Sequence, residues 1–65
     1  MKKSIHPLRR WRFEHGMTLI ELATAVHASV PHMSDIERWR KYAGPMLAKR
    51  LGKISKLDPK LFVRN

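Results

Sequence analysis

The four prolines of this 65-residue chain restrict its fold most strongly, because each can stand in the first turn of a helix. Proline lacks an amide hydrogen, and in a helix it is tolerated mainly where that hydrogen has no partner to bond, in the first turn. Pro7, Pro31, Pro45 and Pro59 therefore predict four separate helix starts. No segment has the sustained alternation of apolar and polar residues that indicates a strand. We expect an all-α fold.

Capping residues supply the other boundaries in the first half of the chain. Gly16 is a typical left-handed stop for a helix that begins at Pro7. Thr18 and Glu21 form a capping box, which predicts a second helix that extends as far as His27. Ser29 is the next candidate cap.

The second half of the chain continues this pattern. A third helix is predicted over about 30–38, with Met33, Ile36 and Glu37 facing inward. Gly44-Pro45 opens a fourth helix, and Asp58-Pro59 starts a short terminal turn. The apolar stripe of the fourth helix is expected at Leu47, Leu51 and Ile54. Together these signals predict a single compact domain, 1–65, of four to five helices.

Composition limits what such a domain can be. A chain of about 60 residues buries only about 60% of its unfolded surface, so the core is small. The absence of cysteine excludes disulfides and thiolate metal sites. No nucleophile stands beside a base and no glycine loop could cradle a phosphate, so we expect neither an enzyme nor a cofactor. The basic start lacks the apolar stretch of a signal peptide and no stretch has the length of a membrane span, so a cytoplasmic protein is expected.

Charge is segregated along the chain, which has a formal net charge of +9. Residues 1–12 carry +5, residues 13–37 carry −4 and residues 38–65 carry +8. Basic flanks around an apolar centre without basic residues are typical of a polyanion binder whose middle packs and whose edges contact phosphate. A simpler interpretation is that the charge only keeps the chain in solution and makes its copies repel one another.

The central residues Gly16 to Arg38 resemble, without a gap, the helix-turn-helix of the phage repressor and Cro-type (XRE) family. In that family a basic first helix with an Arg precedes a Gly, a Ser/Thr-capped helix follows, and the recognition helix ends in Ile-Glu and a polar residue. The matching positions are Arg12, Gly16, Thr18, Leu22, Ala23, Ser29, Met33, Ile36, Glu37 and Arg38. The motif spans about 18–38, and the wider resemblance covers about 7–57.

The resemblance implies a lambda-repressor-like fold and a set of roles. Ala23 allows the two motif helices to approach closely, with Val26, Met33 and Ile36 between them. By analogy with the family, Arg12 and Glu37 are a buried structural ion pair. The recognition helix would enter the major groove of double-stranded DNA. The implied base-contacting residues are Ser29, Val30, Pro31, His32 and Asp35. Phosphate contacts are expected from Thr18, Ser34, Arg38, Arg40 and Lys41.

The residues predicted to contact bases are of unusual types for that role, since none is an Arg or a Gln. Val30 and Pro31 offer only apolar contacts, most naturally to thymine methyl groups, whereas His32 can donate to guanine and Asp35 can accept from cytosine. An alternative for Asp35 is an ion pair with Arg38, three residues further along the helix. Sequence choice would then rely partly on DNA shape and on the spacing of half-sites.

Three positions depart from the family pattern. His27 stands where the family commonly has Gly, in a left-handed position that costs a side chain about 1 kcal/mol. Leu19 replaces a Gln that contacts a phosphate in many members. Trp39 replaces a Gly, so we expect the recognition helix to continue into Arg40-Lys41.

The sequence thus predicts a DNA-binding transcriptional regulator, a repressor that binds an inverted-repeat operator as a homodimer. Leu57, Leu61, Phe62 and Val63 are the candidate dimer surface, or they close the core of the monomer. One alternative is an antitoxin-like module that binds a partner protein and whose DNA binding is autoregulatory. Another is an RNA-binding or membrane-surface peptide driven by charge alone. The four histidines share no helical face, so we expect ordinary surface or turn histidines and no metal site.

Overall fold

Residues 5–64 are described by a computed structural model, and within them the chain forms four α-helices, one 3₁₀ turn and no strand. The elements are α1 (Pro7–Glu14), α2 (Leu19–Ala25), α3 (Val30–Glu37), α4 (Pro45–Ser55) and a terminal 3₁₀ turn (Pro59–Leu61). Each of the four prolines lies at the first or second position of its element. The all-α prediction is confirmed.

Side-chain caps begin α2, α3 and the terminal 3₁₀ turn, as the sequence predicted. The Thr18 hydroxyl accepts from the Glu21 amide at 3.1 Å, and the Glu21 carboxylate accepts from the Thr18 amide at 2.8 Å, which completes the capping box. Ser29 caps α3, and Asp58 caps the terminal 3₁₀ turn through the amide of Lys60. These local bonds fix where each element starts.

Helices α1, α2 and α3 all end in the same backbone motif. Gly16, His27 and Trp39 follow the helix ends with φ of 61°, 59° and 64°, in the left-handed region. After each of them, the next amide bonds back to a carbonyl in the last turn of the helix, in the pattern of a Schellman motif. The prediction that α3 continues into Arg40-Lys41 is therefore wrong: the left-handed Trp39 ends it, and the Arg40 amide bonds back to the Asp35 carbonyl at 2.8 Å.

The core lies where α2 and α3 pack against each other and against α1 and α4. As predicted, Ala23, Val26, Met33 and Ile36 are buried between the motif helices. On α4 the buried face is centred one residue further on than predicted, because Ala48 and Leu51 are buried while Leu47 and Ile54 are half-buried. The buried apolar residues are Leu8, Leu22, Ala23, Val26, Met33, Ile36, Ala43, Ala48, Leu51 and Phe62.

The C-terminal segment packs onto this core. Phe62 is 1% exposed, and its carbonyl accepts from the Ala43 amide at 2.6 Å. Of the two roles predicted for this segment, Phe62 therefore closes the core of the monomer and is no part of a dimer surface. Gly52 allows the close approach, since a Cβ there would lie 2.7 Å from Cγ of Pro59.

His6 corrects the expectation that every histidine lies at the surface or in a turn. It is 2% exposed, and its Nδ1 accepts from the Leu8 amide at 3.0 Å, so it caps α1. Its ring centroid lies 4.2 Å from that of Trp39 and 5.8 Å from that of Phe62. One imidazole therefore joins the start of α1, the turn after α3 and the C-terminal segment.

Candidate nucleic-acid interface

Helix α3 has one buried side and one open side. Met33, Ile36 and Glu37 are buried, as predicted. Val30 and Pro31, at the first turn, are exposed. His32, Ser34 and Asp35 are half-buried, and Arg38 is exposed directly after the helix. The open side is thus apolar at its N-terminal end and polar toward its C-terminal end.

The predicted ion pair between Arg12 and Glu37 is present and holds the buried side of α3. Both carboxylate oxygens of Glu37 accept, from Nε and Nη2 of Arg12, each at 2.9 Å. Nη1 of the same guanidinium donates to the Met17 carbonyl at 3.1 Å. Since both side chains are almost fully buried, this bidentate ion pair fixes the direction of α3 relative to α1.

The first turn of α3 is fixed by Ser29 and by the preceding turn. The Ser29 hydroxyl accepts from the His32 amide at 3.3 Å. His27 adopts the left-handed conformation predicted for it, and the Ala28 amide bonds to the Ala23 carbonyl at 2.9 Å. The oxygen of Ser29 is therefore engaged in the cap, while Val30 and Pro31 carry no such constraint on their outer surface.

Asp35 has an ion-pair partner other than the predicted one. Its carboxylate lies 3.8 Å from Nζ of Lys41, and no pair with Arg38 forms within residues 5–64. The turn at Trp39 causes this difference, because it directs the chain back so that the Arg40 and Lys41 amides both bond to the Asp35 carbonyl. Asp35 and Lys41, which were assigned to bases and to phosphates respectively, thus lie side by side.

A small basic cleft lies beside the buried ion pair. It has a volume of about 70 Å³ and is lined by Arg9, Arg12, Leu19, Ser34, Glu37 and Arg38. Arg9 and Arg38 are exposed, and the Arg12 guanidinium is neutralised by Glu37. The cleft therefore presents two unneutralised guanidinium groups and one hydroxyl, a donor set suited to a phosphate oxygen.

Sequence reasoning missed Arg9 as a member of this group. The available signal was its spacing, since Arg9 and Arg12 lie three residues apart and so share a side of α1. Leu19 also lines the cleft, at the position where the family often has a phosphate-binding Gln. The hydrogen-bond donors that this Leu cannot supply are present on Arg9 and Arg38.

Thr18 and Arg40 are the remaining residues that were predicted to contact phosphate. The Thr18 amide, and to a lesser degree its hydroxyl, hold the pKa of the Glu21 carboxyl below its ordinary value. The Thr18 side chain is thus committed to its cap and would share that hydroxyl with a phosphate. Arg40 is exposed in the connector, next to Lys41.

No group of three or more His, Asp or Glu side chains within residues 5–64 is arranged to hold a metal ion. None of the helices there has both the length and the apolar character needed to cross a membrane.

Comparison of the chain with protein-family models, with curated proteins and with solved structures gave no match.

Proposed function

We propose that the protein is a sequence-specific DNA-binding transcriptional regulator, similar to phage repressor and Cro-type proteins. The observation that carries this proposal is the asymmetry of α3, whose buried side is bonded to α1 through Arg12 and Glu37 while its first turn is exposed. A helix held in this way can enter the major groove with its N-terminal residues at the base edges. The regulator would act in the cytoplasm, the location expected from the sequence.

Base recognition is assigned to the open side of α3. Val30 and Pro31 would contact thymine methyl groups, and the His32 ring would donate to guanine. Asp35 would accept from cytosine, and to do so it must release or share Lys41, from which its carboxylate is 3.8 Å away. Since a surface ion pair contributes at most about 1 kcal/mol, a hydrogen bond to the base can offset the loss of the pair with Lys41.

Phosphate contacts are assigned to the basic residues around α3. Arg9, Arg38 and Ser34 line one cleft, and Arg40 and Lys41 follow the turn at Trp39. Thr18 begins the neighbouring helix. Contacts of this kind set the position and orientation of the protein on the duplex, whereas sequence is chosen by the base contacts.

Repression would follow by occlusion, because a protein that covers a promoter prevents polymerase from binding. We further propose that the operator is an inverted repeat bound by a homodimer, since symmetric operators mirror the two-fold symmetry of the protein. Control by the concentration of the protein then needs no ligand domain.

The test is selection of bound duplexes from a random pool, followed by competition against random duplex. A specific regulator should prefer the selected duplex by about 10³-fold or more. Equal affinity for selected and random duplexes would refute the proposal and leave a binder driven by charge alone. The selected half-site, spacing and symmetry also report on the inverted repeat.

Variants separate the two kinds of contact. Arg9→Ala or Arg40→Ala should weaken binding to all duplexes alike and reduce the slope of log affinity against log salt by about one. Lys49→Ala removes the same charge from the exposed side of α4 and serves as the matched control, with little change in slope. Equal slopes for Arg9→Ala and Lys49→Ala would exclude Arg9 from the interface.

A further inference from the structure

A second groove lies on the side of α1 that faces away from Arg9. It has a volume of about 280 Å³ and runs between α1 and the end of α4. Its lining combines apolar residues with two charged ones; the ring of Trp11 is half-buried and Ile5 is 56% exposed. The residues that line this α1 groove are Ile5, Pro7, Arg10, Trp11, Glu14 and Leu57.

The lining residues of α1 form one continuous stripe. Pro7, Arg10, Trp11 and Glu14 are spaced at i, i+3, i+4 and i+7, the spacing of a helix face that packs against another element. Helix α1 therefore has two packing sides, one toward α3 and the core and one that no segment within residues 5–64 covers.

Among residues 5–64, Glu14 is the one carboxylate without a partner in that same range. Neither a hydrogen bond nor an ion pair involves its side chain within residues 5–64, and Arg10, four residues before it, likewise has no ion pair there. The partners of the other four carboxylates are the Thr18 amide for Glu21, Lys41 for Asp35, Arg12 for Glu37 and the Lys60 amide for Asp58.

The pair of opposite charges on one apolar stripe is self-complementary. If two α1 helices cross about a two-fold axis, Arg10 of each chain faces Glu14 of the other, with Trp11 between the two ion pairs and Ile5 beyond them. A purely basic partner would be repelled by Arg10, and a purely acidic partner would be repelled by Glu14. The pattern thus favours a partner with the same two charges in reverse order.

We propose that the α1 groove is the interface between two copies of this chain. This deepens the homodimer part of the proposed function. Of the C-terminal surface predicted from sequence it keeps Leu57, which lines the groove, and it excludes Phe62, which is buried in the monomer. The dimer can be measured without DNA, so its failure would leave the assignment of α3 to base recognition unaffected.

The size and charge of the chain determine how the dimer should respond to salt. A typical interface covers about 800 Å² of each partner, a substantial part of the 4873 Å² surface of the described chain. Two chains of +9 repel each other over long distances. Salt screens that repulsion more than it screens short, partly buried ion pairs. Self-association should therefore strengthen as salt is raised.

The test is sedimentation equilibrium of the full chain in the absence of DNA. The wild-type chain should dimerise, and Arg10→Glu and Glu14→Arg should each raise the dissociation constant by about tenfold or more, because like charges then face each other. An equimolar mixture of the two variants should form a heterodimer nearly as stable as the wild-type dimer, since every facing pair is again of opposite charge.

The control is each variant alone at the same total concentration, since Arg10→Glu or Glu14→Arg by itself places like charges in both facing pairs and should stay monomeric. Lys49→Glu makes the same charge change as Arg10→Glu but lies outside the groove, so it should dimerise as the wild-type chain does. Circular dichroism confirms that each variant is helical, and the wild-type dilution series requires no variant at all. A wild-type chain that stays monomeric at about 1 mM, beyond the range of specific association, would overturn the proposal and leave the groove to a different protein. A mixture no more dimeric than its control would also overturn it.

Discussion

The two ends of α3 are held in opposite ways. At the C-terminal end, Glu37 is bonded to Arg12 and the Trp39 ring lies against His6. At the N-terminal end, the backbone is capped by Ser29 but Val30 and Pro31 are exposed. Side chains that are to read a ligand must be accessible while their backbone stays in place. The contrast makes the C-terminal end of α3 an anchor and leaves its first turn accessible, and under the proposed function that first turn is presented to DNA.

Loss of Glu37 should have the largest effect on this arrangement. Glu37→Ala leaves the buried guanidinium of Arg12 without its partner, and we expect a loss of about 3–5 kcal/mol in the free energy of unfolding, measured by urea denaturation. Arg38→Ala, one residue further on and exposed, is the control and should change it by less than about 0.5 kcal/mol. Similar losses in both variants would show that the C-terminal end is no anchor.

Glycine substitutions at two left-handed residues should have smaller effects, of opposite sign. Trp39→Gly relieves backbone strain but removes the ring contact with His6, so we expect a net loss of about 1 kcal/mol. His27→Gly relieves similar strain where the side chain is exposed, so we expect a gain of up to about 1 kcal/mol. Thermal unfolding measures both, and a gain at both positions would remove Trp39 from the anchor.

A still smaller effect is expected from pH. Burial lowers the pKa of the His6 imidazole below its ordinary 6.5, and Glu37 partly opposes this shift. The unfolded chain therefore binds a proton more readily than the folded chain. Stability should fall as the pH falls through 6.5 and level off once the folded imidazole is also protonated.

Urea midpoints measured from pH 8 downward test this dependence on pH. His6→Asn keeps a capping side chain but does not titrate, so the part of the decline that begins near pH 6.5 should be absent from that variant. Equal declines in the wild-type and variant chains would assign the effect to other groups.

The helix starts could be predicted from sequence because their causes are local. The Thr18 capping box and the four first-turn prolines act within a few residues, and the structure contains each of them. The burial of His6 could not be predicted in this way, because it depends on Trp39 and Phe62, which are distant in sequence. The end of α3 at Trp39 was missed for the same reason, since tertiary packing overrides the preference of a bulky residue against the left-handed region.

The contacts of the candidate site were likewise predicted only in part. The Arg12–Glu37 pair follows from the family resemblance and is present, but the pairing of Asp35 with Lys41 depends on a turn that was not expected. Arg9 was missed because the cleft that contains it brings together three separate helices.

The central claim is that the exposed first turn of α3 reads bases. It is tested most directly by the sequence preference of Val30→Ala and His32→Ala, with Lys49→Ala as control, on the selected duplex and on its single-base variants. Both variants should unfold within about 0.5 kcal/mol of the wild-type chain. We predict that each loses about 1–3 kcal/mol of discrimination at one or two base pairs and keeps it elsewhere. Unchanged discrimination at every base pair in both variants would contradict the claim.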